Sequence, residues 1–185
     1  MDINEYQKQA ERTAPKFPMD LRVDEKIINA LKYTIGNFVS VGNTLDDIKK
    51  HIYYGKQFDW IDQLNQAIPE RNIQRYTQKH ADIIHAIIGI ATEASEMLEA
   101  LYKMLETGDL DEVNAIEENG DVMWYQALLL RALESSFEQS GSINIEKLYE
   151  RFPDKFDNDK AIYRDVKKER ELLEARVNET TNPLH

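Results

Sequence analysis

Residues 85–96, His85-Ala86-Ile87-Ile88-Gly89-Ile90-Ala91-Thr92-Glu93-Ala94-Ser95-Glu96, form the most apolar stretch of this chain and end on two acids three residues apart. Around them Ile83, Ile84, Ile87, Ile88, Ala91, Leu98, Leu101 and Leu105 recur at helical spacing. That period predicts one buried face on a helix within 71–106. Gly108 stands where a helix terminator belongs. Acids inside such a stretch have to be paired, protonated or metal-bound if they are buried.

Outward from this segment the same period returns. Residues 111–139 predict a second long helix with Val122, Tyr125, Leu128, Leu129 and Ala132 facing inward. It carries another acid pair, Glu118-Asn119-Gly120-Asp121. Residues 3–13, 22–40, 45–53, 60–67, 144–151 and 158–177 also read as helices. Pro15, Pro18, Pro69, Pro153, the Asn43-Thr44 cap and Gly141-Ser142 mark the breaks. No segment alternates as a strand does. Seven glycines and five prolines in 185 residues leave room for long regular elements. The expected fold is all-α, an antiparallel helical bundle with a four-helix core. One domain spans 1–185, with an extended N-terminal part over 15–79 and the core over 80–175.

A faint internal repeat runs through it. A shift of 53 positions lays Gly36 on Gly89, Leu45 on Leu98, Lys50 on Lys103 and Gly55 on Gly108. Ser40 and Asn43 then stand where the second copy has Glu93 and Glu96. The first copy reads as a scaffold that has lost its carboxylates, and four identities in helical sequence also arise by chance.

Composition narrows the function. A formal net charge of −11 repels nucleic acid and anionic membranes, so neither is an expected partner. The absence of cysteine removes disulfides, thiolate metal sites and cysteine catalysis. No apolar run approaches the roughly 20 residues of a membrane span. Met1-Asp2-Ile3-Asn4-Glu5 lacks the basic start and apolar core of a signal peptide, and the expected location is cytoplasmic.

The two acid pairs carry the chemistry. Three residues on a helix put both side chains on one face, about 5–6 Å apart at Cβ. Two such helices packed antiparallel present four carboxylates to one point, as helical bundles do at metal sites. Acid pairs of this spacing are also common on solvated faces, and it is the apolar surroundings that shift the balance here. All-oxygen ligation suits Mg²⁺, with Mn²⁺ as an alternative, rather than zinc or copper. The Glu-x-x-His pairs of di-iron carboxylate bundles are missing.

The segment His85 to Glu96, followed by Ile116-Glu117-Glu118-Asn119-Gly120-Asp121-Val122-Met123-Trp124-Tyr125, resembles the MazG-like family of all-α nucleoside triphosphate pyrophosphohydrolases. The resemblance covers 80–175 well, the first 14 residues loosely and the middle poorly. It implies that Glu93, Glu96, Glu118 and Asp121 ligate Mg²⁺, with Glu93 or Glu96 also orienting or deprotonating the attacking water. It implies a nucleotide site lined by Asn144, Lys147 and Arg151. Lys147 and Arg151, four residues apart on one helix face, read equally as a phosphate clamp and as ion pairs to an acidic neighbouring helix. Tyr125 and Lys103 read as further substrate contacts, set against core packing for Tyr125 and a solvated helix side for Lys103, and Trp124 reads as core. It makes 80–175 the catalytic core, a nucleoside triphosphate the substrate, nucleotide-pool house-cleaning the role and a homodimer the assembly. Thr92 departs from the acid common before the first signature Glu, and Asn119 from a common apolar residue. Residues 49–56 resemble the segment between the family's acid helices but precede them. The contrasting expectation is a non-catalytic helical binding module or pseudoenzyme.

Overall fold

The structure is a computed structural model that describes residues 2–14, 25–67 and 76–181. All its regular elements are helices: α1 (Ile3–Arg12), α2 (Glu25–Tyr54), α3 (Asp59–Ala67), α4 (Gln78–Thr107), α5 (Glu112–Ala132), α6 (Phe137–Arg151), α7 (Asn158–Ile162) and α8 (Val166–Thr181). The chain divides into two compact units, one holding α2–α5 and the other α1 and α6–α8. The division falls between Glu134 and Ser135, inside the stretch expected as a single core.

In the α2–α5 unit, α4 packs against both α2 and α5. Both pairs are antiparallel. Along α2, Lys32 meets Glu106 (3.0 Å), Lys49 meets Glu93 (3.1 Å) and the Tyr53 hydroxyl donates to the Ala81 carbonyl (2.7 Å), so α4 is read backwards. Lys79 pairs with Glu134 (3.0 Å) and Gly89 lies against the Tyr125 ring, which runs α5 backwards as well. The central helix begins with a capping box, Thr77 accepting from the His80 backbone and His80 from that of Thr77. It ends at Gly108 with φ 88°, the left-handed stop its sequence predicts.

The repeat reappears in the helix boundaries. α2 and α4 both have 30 residues, and their starts, their ends and the starts of α3 and α5 are all offset by 53. Gly55, at φ 70°, follows α2 as Gly108 follows α4. Gly42 and Ser95 are equivalent by this offset, and they touch: a Cβ on Gly42 would lie 2.1 Å from Ser95 Oγ. Equivalent positions of an antiparallel pair meet only where a local twofold axis passes between them. The same operation maps the Lys32–Glu106 ion pair onto His85 and Tyr53, whose rings stack at 4.0 Å. α2 and α4 are thus related by a pseudo-twofold.

In the other unit α1 lies on α6, and α6 on α8. Tyr6 donates to Asn144 (3.2 Å) and its ring sits against Gly141. The Arg12 guanidinium covers the Tyr149 ring at 3.8 Å and donates to the Phe152 and Asp154 carbonyls, satisfying the end of α6.

Several boundaries differ from the sequence reading. α2 continues through Asn43-Thr44, because the Thr44 hydroxyl bonds back to the Ser40 carbonyl instead of capping a new helix. The break expected at Gly141-Ser142 lies at 133–136, where Glu134 takes φ 56° and Ser136 caps α6. The last helix divides into α7 and α8. The expected start of the central helix at 71 and the breaks at Pro15, Pro18 and Pro69 lie outside the described residues. Among the described residues, no helix is long and apolar enough to cross a membrane.

Candidate metal centre

Glu93 on α4 and Glu118 on α5 are 8% and 6% exposed, and Asp121, one turn beyond Glu118, reaches the same point from an exposed position. One carboxylate oxygen from each lies within 4.8 Å of the others, an arrangement that can hold a metal ion. The local packing explains the convergence. A Cβ at Gly89 would lie 2.2 Å from Tyr125, so only glycine lets that ring seat against α4 and bring α5 close. Glu118 accepts from the Asn114 side chain (2.7 Å), one turn earlier on the same helix.

The fourth expected ligand, Glu96, is outside this triad and exposed. Partial desolvation, followed by the charges of Glu118, Glu93 and Asp46, raises its pKa to about 6, with Lys49 pulling the other way. Glu118 is also raised, first by burial, with Glu93, Glu117 and Asp121 adding to it against the Asn114 hydrogen bond. Carboxylates held together resist ionising together, and a divalent cation relieves that conflict. Glu117 is exposed, on a different side of α5 from Glu118.

One site residue lay unread in the sequence. Lys49, on α2, is 4% exposed, and its ammonium donates to Glu93 (3.1 Å) and to the Thr92 hydroxyl (2.8 Å). It also pairs with Asp46 at 3.2 Å and lies 5.1 Å from the Tyr125 ring centre. Burial pulls its pKa down, and the hydrogen bond to Glu93, the charge of Glu93 and the hydrogen bond to Asp46 more than reverse this. Beside another lysine, Lys49 reads locally as half of a solvated pair. Only the crossing of α2 over α4 selects it over Lys50.

The other expected residues divide between the two units. Tyr125 is buried beside the acids, where burial first raises its pKa and the Lys49 charge opposes the rise. Lys103 is exposed and paired with Glu99 (3.0 Å). Asn144, Lys147 and Arg151 belong to the other unit. There Arg151 makes two hydrogen bonds, 2.6 and 2.7 Å, to Glu169, which also accepts from Arg164 (2.7 Å). This is the ion pair to a neighbouring helix that sequence alone set against a phosphate clamp. Trp124, read as core, is 58% exposed; with Tyr54 and Tyr125 it surrounds His85, which rests on Tyr53.

Set beside protein-family models, curated proteins and solved structures, the chain matches none of them. The class that fold and site define is an all-α protein with a carboxylate triad across two antiparallel helices.

Proposed function

We propose that the chain is a Mg²⁺-dependent nucleoside triphosphate pyrophosphohydrolase, converting a nucleoside triphosphate and water to the monophosphate and pyrophosphate. The observation that carries this reading is the meeting of Glu93, Glu118 and Asp121 within 4.8 Å from two core helices. The resemblance of the two acid segments to the MazG-like family supports it.

Glu93, Glu118 and Asp121 would hold the cation, an all-oxygen donor set of the kind Mg²⁺ and Mn²⁺ accept. When bound, the cation supplies charge neutralisation for the triphosphate and orients it. The water attacks the α-phosphorus in line, the bond from that phosphorus to the bridging oxygen breaks, and pyrophosphate leaves with the electron pair. Glu96 is the best-placed proton acceptor: it stands one turn from Glu93, is open to solvent, and has a pKa of about 6. Exposed Trp124 and Tyr54 offer aromatic surface to a base on the same unit. Nucleotide-pool house-cleaning in the cytoplasm, by a homodimer, is the role we infer from the resemblance.

The test is pyrophosphate release from a panel of canonical and modified nucleoside triphosphates with Mg²⁺. Release with a preferred base is expected. Silence across the panel from folded protein would overturn the assignment and favour a non-catalytic binding module.

A further inference from the structure

The ammonium of Lys49 comes from the repeat that has Ser40 and Asn43 in place of Glu93 and Glu96. Its three donors are all engaged, by Glu93, Thr92 and Asp46. The Thr92 hydroxyl lies 3.1 Å from the same Glu93 oxygen, Oε1, that Lys49 holds. Both groups crowd one oxygen of that carboxylate and leave Oε2 to face other partners. At 4% exposure, Lys49 cannot swing into water without leaving a buried carboxylate unpaired. Tyr102 stands at the equivalent place in the second repeat, so the pseudo-twofold does not duplicate this contact.

We infer that Lys49 is a positioning residue that occupies one oxygen of Glu93 and stands in for a second metal ion, so that the centre takes one divalent cation per chain. The inference deepens the metal-centre reading above and rests on it. Charge agrees with geometry. Glu93, Glu118 and Asp121 bring three negative charges and Lys49 one positive, Asp46 being matched by Lys50, and a single divalent cation cancels the remainder. A carboxylate that bridges two ions through its two oxygens needs both of them free, and Glu93 has one to offer.

Mn²⁺ titration of the full chain, followed by electron paramagnetic resonance and equilibrium dialysis, tests this without reference to turnover. The wild-type chain should bind one Mn²⁺ with an uncoupled spectrum. Lys49→Met should admit a second Mn²⁺ and show exchange coupling, and Lys49→Arg should return the count to one. Should Lys49→Met fail to fold, Lys49→Gln, which keeps a donor for Thr92, takes its place with the same expectation. Two ions in the wild-type chain overturn the inference alone. So does a folded Lys49→Met or Lys49→Gln chain with one ion at unchanged affinity. No bound Mn²⁺ in the wild-type chain overturns the metal-centre reading itself.

Discussion

α2 and α4 match in length, in their ends and in the position at which they cross, and they differ in the acids they carry. Both have 30 residues, both end before a left-handed glycine, and they cross at equivalent positions, Gly42 and Ser95. Ser40 and Asn43 are exposed on α2, whereas their counterparts on α4 are buried Glu93 and exposed Glu96. The offset places Asn65 and Ile68 against Glu118 and Asp121. The two helices share a packing frame, which depends on length, glycines and apolar spacing. The acids, which are a burden to stability unless a cation neutralises them, persist in one copy. The acid-poor copy did not become inert scaffold, since it delivers Lys49 into the other copy's site.

The comparison can be broken most severely at the acids. Glu118→Gln keeps the hydrogen-bonding partner for Asn114 and makes the second copy resemble the first, whose counterpart Asn65 is already an amide. Pyrophosphate release should fall by about 10²-fold or more with the circular dichroism spectrum unchanged. Turnover within a few-fold of wild type would reject the site.

The next largest effects concern the glycines. Gly89→Ala drives a methyl into the Tyr125 ring and should cost about 1–3 kcal/mol in denaturant unfolding. Its counterpart Gly36 is exposed with nothing within 4 Å of a Cβ. Gly36→Ala should therefore stabilise the chain by about 1 kcal/mol through helix propensity. Effects of the same sign at both positions would contradict the packing described for α4 and α5.

The crossing point sharpens the symmetry. Gly42→Ser alone should destabilise by about 1–3 kcal/mol, because its side chain meets that of Ser95. Adding Ser95→Gly should recover most of the loss, since the pseudo-twofold exchanges the two positions. Thermal unfolding of the single and double variants checks this, and additive losses would deny the symmetry.

The smallest expected effect is in pH. Glu96 is raised from 4.5 to about 6, so the folded chain binds more protons than the unfolded chain between those values. This group's contribution to stability falls as pH rises through that window. Glu169 behaves oppositely. The Arg151 hydrogen bond, against some burial and with help from Arg164, holds it at about 2, and its contribution is lost as pH falls from 4.5 towards 2. Metal-free Tm against pH for Glu96→Gln should show a shallower decline between 4.5 and 6, since Glu118 is raised as well, and keep the acid limb. A curve superposable on wild type would count against the acid cluster's electrostatics.

Much of this was legible in sequence because it is periodic or local. The stripe from Ile83 to Leu105 announced α4, Gly108 its end, and two pairs of acids three apart the candidate ligands. The extent of α2 was not legible, because a threonine bonding back along a helix looks the same as one capping it. Lys49 and Trp124 were missed for a related reason: whether a lysine is buried or a tryptophan exposed depends on helix crossings that no local pattern encodes. The repeat stood between these cases. Four identities suggested it, and the helix boundaries and the Gly42–Ser95 contact gave it a geometry.

The central claim is that the second copy holds a divalent cation and the first does not. Calorimetric titration of Mn²⁺ into the wild-type chain and into Glu93→Ser/Glu96→Asn/Glu118→Asn, which writes three of the first copy's four residues into the second, tests it most directly. Binding to the wild-type chain, lost in a variant that keeps its helical spectrum, is the predicted result. Equal binding to both chains, or none to the wild type, would contradict it.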